Sequence, residues 1–346
     1  MDANRKPVAE SGSGRRVAEC VGVYSSGAIE TLCSSAEPVV LRDFVSHWPV
    51  VGAAKASDRE LVDYLMQFDK GATVPVSIGP PSLNGRMFYN DDFTGLNADR
   101  GNARFSTFLE RVLRHGQESH PPLIYMASMD INACVPGFGE RNSIDFGAAD
   151  PLASIWIGTR TRIAAHNDLP LNIACVAAGR RRFTLFPPDQ TQNLYPGPFE
   201  LTPAGRPISL VDFHAPDLER FPRFEDALQV AQIAELGPGD AIFIPSMWWH
   251  HVEATEGVNV LVNYWWRKVP GHLGTPQDVL NHAMLTLRDL PMEERRIWKD
   301  IFEHYVFGAS EASFSHIPFH ARGILNPIDE AMAKRVRGFL RDRLDR

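Results

Sequence analysis

The chain has 346 residues, 44% hydrophobic and 22% charged, a globular composition that excludes bulk disorder and collagen-like repeats. Thirty-five Lys and Arg stand against 42 Asp and Glu, and the resulting charge of −7 argues against a phosphate-dominated nucleic-acid partner. No apolar run reaches the length of about 18 residues that a membrane-spanning helix needs, so no membrane partner is expected. The polar start, MDANRKPVAESGSGRR, lacks the apolar centre of a secretory leader, and the cysteines (Cys20, Cys33, Cys134, Cys175) are too scattered for a disulfide framework. Both features point to a reducing cytoplasm.

Residues 1–16 read as a flexible tail around Ser-Gly-Ser-Gly. The segment from Pro38 to Val51 reads as a strand and a bend. Ser57 with Glu60 predicts a capped helix through about Met66 that turns Leu61, Val62 and Leu65 inward. Thr107 with Glu110 predicts a second helix, with Phe108, Leu109 and Val112 on one side. From about Ser154 to Lys268 short strand-like runs alternate with Gly and Pro turns: SIWIG (154–158), NIACVAA (172–178), RFTLF (182–186), AIFIP (241–245) and VNVLVNYWW (258–266). This pattern predicts an all-β barrel or sandwich. The Pro- and aromatic-rich stretch 187–230 reads as an insertion between strands, long enough to suggest a binding segment. After Pro270 the pattern turns helical. Thr275-Pro276 opens one helix with a stripe of Val279, Leu280, Ala283, Met284 and Leu287, and a second stripe carries Trp298, Ile301, Phe302 and Tyr305. Asn326-Pro327 opens the last helix, with Ile328, Met332, Val336, Phe339 and Leu340 on its apolar side. These helices either cover the barrel or pair with a second copy of themselves.

Two places carry chemistry. In the extended run Ala165-His166-Asn167-Asp168, alternation projects His166 and Asp168 to one side, so an imidazole and a carboxylate can share one metal ion. Farther on, Gly237-Pro-Gly-Asp240 delivers a strand, and a further turn delivers Trp248-Trp249-His250-His251. The two histidines must face opposite sides, so one can join His166 and Asp168. Two His and one carboxylate on one face of an octahedral ion leave open positions, as non-haem Fe(II) oxygenases require. The competing reading is a tryptophan-rich core with buried, hydrogen-bonded histidines.

The region from Trp156 to Trp266 resembles the cupin-like, JmjC-type Fe(II)- and 2-oxoglutarate-dependent oxygenases, in particular the branch that includes the asparaginyl hydroxylase of hypoxia-inducible factor. The resemblance rests on H-N-D at 166–168, NIACVAAGRRRFTLFPPDQ at 172–190, L-Y-P at 194–196, VDFHAPDLERFPRF at 211–224, GDAIFIPSMWWHHVE at 239–253 and VNYWW at 262–266. It implies a mainly β fold with flanking helices, a double-stranded β-helix (jelly-roll or cupin barrel) followed by a C-terminal helical segment. The expected divisions are a tail at 1–16, a barrel domain at 17–269 with its core at about 150–268, and a helical region at 270–346. It also implies Fe(II) on His166, Asp168 and His250, with 2-oxoglutarate and O2 as co-substrates, and hydroxylation of a protein side chain or small molecule coupled to succinate formation. Asn172 and Asn263 match co-substrate-pocket asparagines, and Tyr125 matches a tyrosine that binds the distal carboxylate.

Two departures from the family pattern stand out. Arg181 takes the place of the family's carboxylate-binding lysine; it shares a strand face with Phe183 and Leu185, where a charge needs a partner, either the co-substrate or a protein carboxylate. Ile163 replaces a hydroxyl residue, so that hydrogen bond is absent or comes from Thr161 or Thr184. The resemblance further implies a homodimer through the C-terminal helices. The alternative from another class is a non-catalytic cupin that binds a ligand or partner protein; a structural zinc barrel is disfavoured, because no cysteine accompanies the triad.

Overall fold

The computed structural model describes residues 14–21, 26–32, 34–147 and 149–344. Residues 1–13 of the expected tail, and Cys33, lie outside the described residues. The chain divides into two compact units, the first ending at Trp266 and the second spanning Arg267–Arg346.

The first unit holds fifteen strands among the described residues: β1 (Arg15–Arg16), β2 (Ala18–Val21), β3 (Val39–Arg42), β4 (Thr73–Gly79), β5 (Arg86–Met87), β6 (Asp99–Arg104), β7 (Leu123–Asp130), β8 (Leu152–Gly158), β9 (Thr161–Asn167), β10 (Leu171–Ala178), β11 (Arg181–Phe186), β12 (Gln232–Leu236), β13 (Ala241–Ile244), β14 (Trp249–Ala254) and β15 (Asn259–Trp266). They form two sheets. One has the order β1-β12-β11-β14-β9-β5, the other β2-β3-β13-β10-β15-β8-β7-β4-β6. All five runs expected as strands are strands, and the fold is mainly β with flanking helices, as expected of a cupin. Arg15 and Arg16 correct the expected tail boundary, since they pair in parallel with Gln232 and Ile233.

Alternation along the strands sorts the core into layers. On β10, Ile173 and Cys175 face an apolar layer that includes Leu61, Val62 and Leu65 of the helix Asp58–Met66 and Phe108, Leu109 and Val112 of the helix Phe105–Gly116. Ala174 and Val176 face the other way, toward Phe183 and Leu185 of β11. The outer face of the six-stranded sheet is covered in turn by the 187–230 insertion, through Phe186, Trp249, Val211, Phe213 and Phe224.

The helix starts follow local capping chemistry, with two corrections. The Ser57 hydroxyl accepts the Glu60 N–H as expected. Thr107 is not a cap: the helix already begins at Phe105, whose burial against the core outweighs the Thr107 signal. In the second unit the Thr275 hydroxyl caps the helix Pro276–Thr286. The last helix begins at Glu330, later than expected from Asn326-Pro327, because the Asp329 carboxylate accepts the Met332 N–H and supplies the cap.

Candidate metal centre

The two sheets enclose a cavity of about 310 Å³ between their facing surfaces. His166 of β9 and His250 of β14 stand directly opposite each other in the ladder, and their rings lie 4.4 Å apart between centroids. Asp168 follows β9, with a carboxylate oxygen 3.7 Å from His250 Nε2. One ligand atom from each of the three lies within 4.8 Å of the others, a spacing suited to one metal ion.

Each imidazole is fixed by its own strand. His166 Nδ1 lies 2.9 Å from the Ala164 carbonyl and His250 Nδ1 lies 3.0 Å from the Trp248 carbonyl. A carbonyl can only accept, so Nδ1 carries a proton in both rings and Nε2 is the nitrogen left to face a ligand. Burial, reinforced by His166, pushes the His250 pKa down to about 4 against the opposing pull of Asp168, so His250 is neutral at pH 7. His251 faces away from the cavity. It stacks on Phe213 at 4.5 Å, beneath the insertion.

A β-bulge shapes the wall beside the triad. Along β14 the register advances from His250 to Val252, while along β9 it advances from His166 to Ile163, so β9 carries one extra residue. The extra residue turns Ile163 into the same cavity as His166, which strict alternation would forbid.

Arg181 and Tyr125 also line the cavity, one from each sheet. Arg181 is 3% exposed, its Nε has no hydrogen-bond partner, and no carboxylate among the described residues pairs with it. Desolvation lowers its pKa to about 10, with the nearby Tyr125 opposing, so it remains a cation. Burial pushes the Tyr125 phenol upward, which keeps it a hydrogen-bond donor. Asn172 and Asn263 line the cavity between these ends. Trp156 Nε1 donates to Asn263 Oδ1 at 2.6 Å, and Asn263 Nδ2 donates to Asn172 Oδ1 at 3.3 Å. This chain leaves the Asn172 amide nitrogen to donate into the cavity.

Thr184 and Thr161 do not join the cavity lining. Thr184 sits opposite His251 in the β11–β14 ladder, on the face away from Arg181, so neither threonine replaces the hydroxyl lost at Ile163. Sequence reasoning also missed lining residues. Ser128 enters at a second register irregularity between Met126 and Met129, with φ of 26°, and offers a hydroxyl. Trp265 carries a buried indole N–H without a partner among the described residues, and Pro203, Ala204 and Gly205 bring the insertion to the cavity wall. The alternation of VNYWW already puts Trp265 on the face of Asn263; a bulge such as that at Ser128 leaves no comparable signature.

The chain is similar to several characterised proteins. It is 34% identical over 156 residues to HSPB1-associated protein 1 from Homo sapiens, covering 43% of this chain and 29% of that protein. It is 37% identical over 122 residues to Lysine-specific demethylase JMJ31 from Arabidopsis thaliana, covering 34% of this chain and 22% of that one. Jumonji C domain-containing protein 5 from Drosophila melanogaster is 28% identical over 250 residues, 68% of this chain and 56% of its own length. The chain thus spans less than two thirds of each of these relatives. The model of the cupin-like domain matches residues 26–272, most of the chain. With this match over most of its length, two facing sheets and a His-Asp-His cluster between them, the chain belongs to the cupin-like domain family, and its similarity to JmjC-named relatives is consistent with a JmjC-type member.

Proposed function

We propose that the protein is an Fe(II)- and 2-oxoglutarate-dependent oxygenase that hydroxylates a substrate C–H bond. One observation carries this reading: a single cavity holds both a two-His, one-carboxylate cluster and a buried guanidinium that no carboxylate among the described residues pairs with. The residues present fit both groups. Two imidazoles and a carboxylate suit Fe(II), and a buried cation beside a phenol donor suits a dicarboxylate. When bound, Fe(II) with 2-oxoglutarate and O2 supplies oxidative decarboxylation to succinate and CO2, coupled to oxygenation of the substrate.

The protein's own groups bind and orient. His166, Asp168 and His250 would hold the metal and leave its cavity side open. Arg181 would grip the distal carboxylate through its planar fork while Tyr125 donates a further hydrogen bond. Asn172, held by Asn263 and Trp156, would donate to the co-substrate. The apolar walls of Phe183, Val252 and Leu261 exclude water. The relatives named HSPB1-associated protein favour a protein as substrate or partner. The C-terminal unit is proposed as a homodimer contact and the reducing cytoplasm as the place of action, the latter consistent with free, buried Cys134 and Cys175.

Anaerobic addition of 2-oxoglutarate to the Fe(II)-loaded protein is expected to produce a visible charge-transfer band. His166→Ala and Asp168→Ala should each abolish it, and a band that survives either change refutes the triad assignment. In air, with ascorbate supplying the two electrons that a substrate would otherwise give, the same mixture should release succinate. A bound co-substrate that yields no succinate identifies a non-catalytic ligand-binding cupin instead.

A further inference from the structure

His166 lies inside β9 and is held by the ladder opposite His250, whereas Asp168 lies beyond the last strand residue, Asn167. Two hydrogen bonds from the turn that precedes β14 reach this end of the chain. The Met247 N–H donates to the Asp168 carbonyl at 2.8 Å, and the Ser246 hydroxyl donates to the adjacent Leu169 carbonyl at 2.6 Å. Met247 adopts a φ of 66°, a left-handed conformation that a non-glycine residue takes up at a cost unless its surroundings enforce it. Successive carbonyls at 168 and 169 are therefore clasped by successive residues of one turn, and that turn delivers His250 three residues later. The two halves of the triad, which come from different strands, are tied at this point.

We propose that Ser246 is a positioning residue for the candidate metal centre, its hydroxyl and the Met247 N–H forming a latch that fixes Asp168 relative to His250. The proposal rests on the reading of His166, Asp168 and His250 as ligands. Without the hydroxyl, the Leu169 carbonyl loses its only described partner across the turn, and the Asp168 backbone is held through Met247 alone. The carboxylate then samples orientations in which it does not face the two Nε2 atoms, and the metal must select the productive one at a cost in affinity. Threonine at the same place keeps the hydroxyl and should keep the latch.

Anaerobic titration of the full chain with Co(II), followed by the visible d–d band, tests this directly. Ser246→Ala is expected to weaken Co(II) binding on the order of tenfold, as loss of a hydrogen bond that orients a ligand commonly does. Ser246→Thr should bind close to the parent protein, and both variants should unfold thermally near it. Unchanged affinity in Ser246→Ala, alongside abolished binding in Asp168→Ala, overturns the latch while leaving the metal centre intact. Retained Co(II) binding in Asp168→Ala removes the metal-centre reading, and the latch with it. Equal loss in Ser246→Ala and Ser246→Thr, matched by a lowered Tm in both, makes Ser246 a structural residue and overturns its positioning role.

Discussion

Arg181 is the residue where function and stability pull in opposite directions. A guanidinium that is 3% exposed and lacks a partner for its Nε among the described residues is costly to bury, and desolvation has already drawn its pKa down to about 10. Arg181→Met keeps much of the volume and removes the charge. The ligand-free variant is expected to be more stable by about 1–3 kcal/mol, seen as a raised Tm. Its affinity for 2-oxoglutarate should fall by roughly 10–100-fold, the loss expected for charge-assisted hydrogen bonds. A lowered Tm with unchanged 2-oxoglutarate affinity would give Arg181 a purely structural role. The sequence made this residue legible because alternation from Phe183 and Leu185 put it on an apolar face. The same alternation separates Thr184 from Arg181, against the expectation that Thr184 or Thr161 supplies the hydroxyl missing at Ile163. Ile163 stands out in the sequence for its missing hydroxyl, but its place beside His166 depends on an extra residue in β9 that changes the face of everything before it.

At the scale of elements, the insertion is fastened to the sheet that carries His166 and His250. Arg86, Arg162, Glu253, Arg182 and Glu235 stand side by side across β5, β9, β14, β11 and β12, a row of mostly alternating charge. Asp212 of the insertion reaches Arg86 and Arg162, each at 3.3 Å, and His214 pairs with Glu253. Phe213, between them, packs on His251 and Phe224. Burial raises the Asp212 and Glu253 carboxyls, but Arg86 and Arg162 for the first, and His214, His251 and Arg182 for the second, outweigh it and hold both below the usual range. A depressed folded pKa gives stability that is present above the unfolded value and is lost as pH falls through the folded one. Amide protection over 209–214 should thus persist from pH 7 to about 4 and fall below that, before protection of β10 does. Hydrogen exchange that stays equally protected at pH 3 would show that apolar packing alone holds the insertion. Asp212→Asn should loosen the same segment at neutral pH. The insertion was legible as a long Pro-rich interruption, whereas β4 and β6 were not legible at all. β4 contains Pro75, which argues against a central strand, and the strand pairs on both sides only beyond it: Pro75 itself faces Asn102 of β6, while β7 pairs with Ser77–Gly79. β6 reads DRGNAR and is almost wholly exposed, an edge strand with no apolar alternation to reveal it.

For the molecule as a whole, the unit beginning at Arg267 presents the unsolved face. Among its described hydrophobic residues only Phe314 and Ala333 are fully buried, while Leu285, Ile297 and Phe307 are 78%, 60% and 75% exposed. The helical stripes were legible, but the surface that covers them was not, because periodicity reports that a face is apolar and not what meets it. Exposed apolar helices in a small unit need a partner to remain soluble and ordered, and a two-fold contact between identical helices supplies one without a second gene product. Ile297 and Ile301 share one face of the helix Met292–Phe302, since residues four apart are neighbours on a helix surface. Light scattering of the full chain is therefore expected to give twice the 38.6 kDa chain mass. The double change Ile297→Asp with Ile301→Asp should give the single-chain mass, because two carboxylates cannot be desolvated without partners in an apolar contact. Co(II) binding at the proposed site of His166, Asp168 and His250 should survive in that variant, as all three residues belong to the first unit. A parent protein that is monomeric at micromolar concentration, or a double variant that still dimerises, would remove this helix from any self-association surface.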